Sequence, residues 1–213
     1  DYLMVYERLL TQARQPVIIH WLGEMFDPAL AGYWGYSQID EALKAVKALL
    51  RAHATRIDGI KISLLDKTKE IALRRELPAS VRMYTGDDFD FAELIGGDAL
   101  GYSDALLGIF DAIAPAASAA LSELASGRRD RFDEILAPCV PLSRHIFSAP
   151  TQFYKTGIVF MAWLNGYQKE FVMLGGQETK RSLPHLAEIF RLAVRARLLQ
   201  DPELAVTRMD TLC

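Results

Sequence analysis

Short apolar runs rich in β-branched residues alternate with stretches of helical periodicity through the first half of this chain, a pattern that few folds accommodate. QPVIIHW (15–21), IDGIKISLL (57–65) and VRMYTG (81–86) read as strands, and LGYSDALLGIFD (100–111) holds a fourth strand-like stretch ending near Phe110. Between them, Ile39, Leu43, Val46, Leu49 and Leu50 form one stripe of a helix capped by Ser37, with Asp40 completing a weak capping box. Asp66 to Leu77 and Asp88 to Ile95 read as further helices, each opened by a capping aspartate, and Pro115 to Ala125 as an alanine-rich one. Strands without polar alternation need cover on both faces, which parallel sheets obtain through helical crossovers. The expected fold class is α/β with four parallel strands.

After Gly127 the strand signal stops. RRDRFDEILAP, PLSRHIF, TQFYKTGIVFMAWLNGY and SLPHLAEIFRLAVRARLL all carry helical patterns, and DPELAVTRM adds a last helix with Asp201 as cap and Pro202 in its first turn. Residues 1–127 are therefore expected to form the α/β part and 128–213 a helical segment. The chain opens at Asp1 without a methionine, in a predicted helix over 1–14 whose Leu3, Tyr6, Leu9, Leu10 and Ala13 share a face that must pack on something. From this the expectation is that more of the protein precedes it. Four parallel strands fit either a small doubly wound sheet or half of an eight-stranded barrel, and the abrupt start favours the half barrel. Functional groups then belong at the C-terminal strand ends, at His20–Glu24, Lys61–Asp66, Thr85–Asp88 and Gly108–Asp111.

Charge narrows the partners. Lysine and arginine number 24 against 27 acidic residues, a net charge of -3, so no broad positive field draws nucleic acid or an anionic membrane. Cys139 and Cys213 are too few for a disulfide framework and lack a zinc-like spacing. No apolar run approaches the roughly 20 residues that span a bilayer, and no signal-like segment opens the chain, so a cytoplasmic location is expected.

Lys61 interrupts an apolar strand with Gly59 two residues before it. A desolvated ammonium has a lowered pKa and leaves more neutral amine to attack a carbonyl. The alternative is a lysine paired with Asp58 or Asp66, or one that snorkels to water. Thr85, Gly86 and Asp87 end a strand where glycine allows close approach to a ligand, and Gly108 and Phe110 offer backbone groups at the last strand. Glu24, Asp27, Asp66, Asp87, Asp88 and Asp111 would ring the barrel mouth with carboxylates; no pair has a metal-specific spacing, and capping explains Asp66 and Asp88. His53, His145 and His185 read as structural, and Phe160 and Trp163 as core.

DGIKISLLD resembles the strand around the Schiff-base lysine of the dihydrodipicolinate synthase and N-acetylneuraminate lyase superfamily. QPVIIHWLG is similar to the preceding strand, VRMYTGDD to the following one, and LLGIFDAIAP to the last barrel strand and its Ala-Pro turn. IFSAPTQFYKTGIVFMAWLNG and RSLPHLAEIFRLAVRARLL resemble the helical extension, in which Tyr154 and Lys155 read as packing or interface residues. HWLGEMFDPALAGYWG, GIKISLLD, MYTGDDF and PLSRHIFSAPTQFYKTG look like an uncharacterised bacterial branch labelled dihydrodipicolinate synthase-like.

The resemblance implies the C-terminal half of a (β/α)8 TIM barrel followed by a helical C-terminal extension. It implies a class I aldolase-type lyase in which Lys61 condenses with a 2-oxo acid such as pyruvate, an aldehyde-type second substrate, no metal or organic cofactor, and a homo-oligomer. His20 stands where the family has a proton-relaying tyrosine, and Trp21 replaces the asparagine after it. An imidazole can carry protons near neutral pH. Glu24 and Asp87 would shape specificity. The family's carboxylate-binding Gly-Thr-Thr type motif lies upstream of the segment matched here, so this chain alone is expected to lack robust catalysis. Two other classes stay open: a barrel-derived binding protein, favoured by the change at His20, and a carboxylate-lined, metal-dependent hydrolase.

Overall fold

The computed structural model describes residues 2–212. It forms two compact units, one through Leu107 and one from Gly108. The first contains helix α1 (Tyr2–Gln12), strand β1 (Val17–Leu22), α2 (Ile39–Ala52), β2 (Ile57–Ser63), α3 (Lys67–Arg74), β3 (Arg82–Thr85), α4 (Phe91–Gly96) and β4 (Asp104–Ala105). The strands form one sheet in the order β1-β2-β3-β4, with each neighbouring pair parallel. The expected α/β alternation is present.

One face of the sheet is core. Ile19 and Trp21 of β1, Ile57, Ile60 and Ile62 of β2 and Met83 of β3 pack with Leu43, Val46, Leu49 and Leu50 of α2 and Leu73 of α3. Burying each such side chain contributes about 1.5–3 kcal/mol, and the helical stripe read at Ile39–Leu50 is what α2 turns inward, apart from Ile39 itself, which is exposed. The other face carries Ile18, 44% exposed, an exposed His20, a half-buried Lys61 and an exposed Arg82. The expectation of cover on both faces is met on the helix side, and among the described residues the other face is mixed, with Tyr84 and Ser63 also buried on it.

Between Val17↔Ile57 and Ile18↔Gly59 the register shifts, leaving Asp58 as one extra residue in β2. This bulge explains why Ile57 joins the core although it lies an even number of residues from Lys61.

The fourth strand is much shorter than the stretch 100–111. Gly97 and Gly101 take positive φ in a turn closed by an Asp98–Gly101 bridge, β4 spans two residues, and Gly108–Asp111 curl into a 3-10 turn as Ala112 and Ile113 donate to Ile109 O. Two expected caps also differ. Gln38, not Ser37, occupies the cap position of α2 and makes no side-chain bond there. Asp87 rather than Asp88 organises the entry to α4, its Oδ1 accepting from Phe89 N at 2.8 Å and Asp90 N at 2.9 Å. Asp66 caps α3 as expected, accepting from Thr68 N and Lys69 N. On α1 only Leu10 is buried; Leu3 and Leu9 are exposed, and Tyr6 reaches Tyr33 through a 3.0 Å hydroxyl bond. The start of the expected helix at Asp1 lies outside the described residues, as does Cys213.

The second unit contains α5 (Ala114–Ala125), α6 (Arg129–Leu136), α7 (Cys139–Ile146), α8 (Tyr154–Leu164), α9 (Leu183–Arg195) and α10 (Pro202–Asp210), with no strand among the described residues. Phe132, Leu136, Leu142, Ile146, Phe160, Met161, Leu164 and Ile189 are buried in its core. Gly127, at φ 75°, ends α5 and lets it fold back on α6, so packing groups α5 with the helices that follow, although the sequence periodicity changes only after Gly127. Asp201 caps α10, with Pro202 in its first turn. No helix among the described residues is long and apolar enough to cross a membrane.

Candidate active site

Parallel pairing sets His20, Lys61, Tyr84 and Asp104 side by side in one row across the four strands. Aligned residues share a face, and neighbouring strands lie about 4.8 Å apart. The row lies on the face opposite the core, because Ile60 and Ile62, which flank Lys61, point into the core. Ser63, two residues after Lys61, returns to the same face, where its hydroxyl meets His20 Nε2 at 2.9 Å.

Gly86 completes this group. Its N–H donates to Ile62 O at 2.7 Å, which draws the end of β3 over β2. A Cβ at position 86 would collide with Ser63 Oγ and would lie 2.7 Å from Lys61 Cε and 2.8 Å from Ile62 O. Glycine is required here by close approach, and the space it leaves is filled by the Lys61 side chain and the Ser63 hydroxyl. Partial withdrawal of the imidazole from water, although the residue as a whole is exposed, and then the charge of Lys61, pull the His20 pKa down to about 4, so the ring is neutral near neutral pH.

Towards the other end of the row, Tyr84 donates its hydroxyl to Asp58 Oδ2 at 2.5 Å, and Asp58 also accepts two bonds from Arg82, at 2.8 and 2.9 Å. Burial and this bond push the Tyr84 hydroxyl up to about 12 and keep it protonated. Arg82, hydrogen-bonded first and Tyr84 second, holds Asp58 below its ordinary value. The two carboxylates considered for Lys61 thus have other roles, Asp58 with Arg82 and Tyr84 and Asp66 as a helix cap.

Thr85 and Asp87, expected to touch substrate, are enclosed. Thr85 aligns with Ile62, on the face opposite Lys61, and is fully buried. It donates to Glu70 Oε2 at 3.0 Å, while Ser103 donates to Glu70 Oε1 at 2.7 Å and Arg74 donates to Ser103 and to Asp98. Burial raises Glu70 to about 8 against the lowering effect of those hydroxyls. Burial likewise raises Asp87, whose Oδ2 has no hydrogen-bond partner.

Glu24 is exposed on the loop after β1, where it borders a cavity of about 400 Å³ with Trp21, Trp34, Tyr36, Asp40 and Lys69; Asp40 and Lys69 pair at 2.5 Å. Gly108 and Phe110 lie in the 3-10 turn that opens the second unit, where Gly108 leaves room for the Phe147 ring. Asp27 caps the short turn Pro28–Leu30. No three histidine, cysteine, aspartate or glutamate side chains group as metal ligands among the described residues. His53 closes α2, and His145 stacks on His185 with centroids 4.1 Å apart. Tyr154 stacks on Phe147, Lys155 is exposed, and Phe160 and Trp163 are buried.

The structure thus brings Lys61, His20 and Gly86 together and adds Ser63, Tyr84 and Asp58. Period-2 alternation from Lys61 reaches Ser63 and could have flagged it. The Asp58 bond to Tyr84 depends on a bulge that leaves no mark in the sequence.

No curated protein matches the chain. A family model described as "Protein of unknown function (DUF993)" matches residues 1–213. The match runs the length of the chain, which therefore belongs to the DUF993 family.

Proposed function

We propose that this chain is the C-terminal half of a TIM barrel with a helical extension, and that it carries the Schiff-base lysine of a class I aldolase-type lyase acting on a 2-oxo acid such as pyruvate. One observation carries the reading: Lys61 stands mid-row on the partly exposed face of a parallel sheet, beside a neutral His20, with Gly86 clearing the path of its side chain. Parallel sheets are ordinarily covered on both faces, and a closed barrel would supply that cover while keeping the row accessible from one end.

In this mechanism the neutral Lys61 amine adds to the C2 carbonyl of the oxo acid, and loss of water leaves an iminium. Removal of a C3 proton gives an enamine, whose C3 attacks an aldehyde carbonyl; water then releases product and restores the amine. His20 is the nearby group able to exchange protons. The charge of Lys61, one of the two causes that depress His20, is absent in the neutral amine and returns in the iminium, so the imidazole is most basic while the amine adds. Glu24, exposed on the loop after β1, shapes the second-substrate end in this reading, whereas the enclosed Asp87 organises the entry to α4. No metal or organic cofactor enters the sequence of steps. The outer edges of β1 and β4, which pair with no further strand among the described residues, support association with further copies.

The weak basicity of His20 favours a second reading, a barrel-derived binding protein without catalysis. Borohydride trapping separates the two. The chain and the longest natural protein containing it are incubated with pyruvate and a panel of 2-oxo acids, reduced, and mapped by mass spectrometry. A stable adduct on Lys61, lost in Lys61→Ala, is expected in the longer protein. A folded longer protein that gives no adduct on Lys61 refutes the lyase and leaves the binding protein.

A further inference from the structure

His20 lies on an outer strand and is exposed, so packing alone does not hold its ring. Its hydrogen bond is to Ser63, which is only 3% exposed. The Ser63 oxygen is confined by the space that Gly86 leaves, and the same space borders Lys61 Cε. We propose that Ser63 is a positioning residue, whose buried hydroxyl donates to His20 Nε2 and so fixes both the orientation and the tautomer of the imidazole beside Lys61. Its catalytic consequence rests on the Schiff-base reading; the positioning itself does not.

The direction of the bond follows from the inventory of partners. A buried hydroxyl that only accepted would leave its own proton unbonded, which costs about 1–3 kcal/mol. His20 Nε2 is the acceptor within reach, so Ser63 O–H donates and the neutral ring carries its proton on Nδ1. The imidazole then presents Nδ1–H as a donor, suited to the oxygen that leaves the substrate carbonyl as Lys61 adds. Without Ser63, either nitrogen could carry the proton and the ring could turn away. An alanine at position 63 would fit the same space; the group that the hydroxyl bonds is the neighbouring imidazole.

The test has two arms on the full chain and on the longest natural protein containing it, using wild type, Ser63→Ala and Ser63→Thr. The first is nitrogen-15 NMR of the His20 ring across pH. The Nδ1–H tautomer is expected in wild type, a mixed population with a displaced titration in Ser63→Ala, and recovery in Ser63→Thr. An unchanged tautomer and titration in a folded Ser63→Ala overturns the proposal, as does an Nε2–H tautomer in wild type. The second arm measures the rate at which the borohydride-trapped pyruvate adduct forms on Lys61. Because Nδ1–H assists departure of the carbonyl oxygen, that rate should fall at least about tenfold in Ser63→Ala, with recovery in Ser63→Thr. Adduct formation at the wild-type rate in Ser63→Ala overturns the catalytic role. If wild type gives no Lys61 adduct, the lyase reading fails, and the NMR arm alone decides whether Ser63 positions His20.

Discussion

Replacing Glu70 by glutamine should abolish a loss of stability that the protein suffers as the solution becomes alkaline. Glu70 is 1% exposed, between the Thr85 and Ser103 hydroxyls, and its carboxyl is raised from 4.5 to about 8, chiefly by burial. A raised carboxyl pKa means that the folded protein holds a proton the unfolded chain has released. The associated stability is complete below about pH 4.5 and is lost as pH rises through about 8. At about 1.4 kcal/mol per unit, the full effect is on the order of 4–5 kcal/mol, a large share of the 5–15 kcal/mol typical of a folded domain. Glutamine cannot ionise, and its amide can exchange hydrogen bonds with the two rotatable hydroxyls. Urea unfolding of both proteins, followed at pH 5, 7 and 9 by hydrogen exchange of β3 amides, reads the difference directly. Near-equal stability at pH 5 and an advantage of several kcal/mol for Glu70→Gln at pH 9 are expected. A difference that stays constant from pH 5 to 9 would refute the argument that burial, rather than hydrogen bonding, governs this carboxyl.

Gly86→Ala should cost about 1–3 kcal/mol by overpacking, since Ile62 O cannot yield, and should suppress Lys61 adducts by displacing its side chain; a variant that melts and traps like wild type contradicts the close approach. Cys139 is fully buried, with its thiol pushed up to about 11, so in a Cys213→Ala background thiol reagents should label it only after unfolding; rapid native labelling counts against that packing. Burial, then His145 and Arg181, lower His185 to about 4, so its contribution is present above pH 6.5 and is lost as pH falls through 4. His185→Gln should move the acid midpoint of the helical unit downward, and an unmoved midpoint would show that the ring is not held neutral.

Much of the α/β pattern was legible because apolar runs and helical stripes report burial directly. Ile60 and Ile62 announce a buried face, and Asp66 announces the helix after it. What could not be read is what depends on pairing. The neighbours of Lys61 come from register between strands more than 40 residues apart in one case, as His20 and Ser63 are. Thr85 looked like a strand-end ligand residue, yet alternation puts it on the helix side, where Glu70 claims it. The 100–111 stretch looked like a strand because Leu106, Leu107, Ile109 and Phe110 are apolar, but Gly101 and Gly108 break the run on either side of a two-residue pairing. Ser37 was a plausible cap by residue type, and the helix simply begins one residue too late to use it.

The extra residue at Asp58 acts as a phase shift. A strand has a reading frame of two, and any stretch in frame presents one face throughout. By adding one position between Ile57 and Gly59, the bulge lets the beginning of β2 be written for the scaffold and its end for chemistry, with Ile57 turned inward and Lys61 turned out. Pairing β2 with β1 straight through, with Asp58 kept but not bulged out, would be the structural counterpart of a frameshift: it would move either Ile57 out of the core or Lys61 into it, whereas deleting Asp58 would leave both on their faces and remove only the carboxylate that Tyr84 and Arg82 bond.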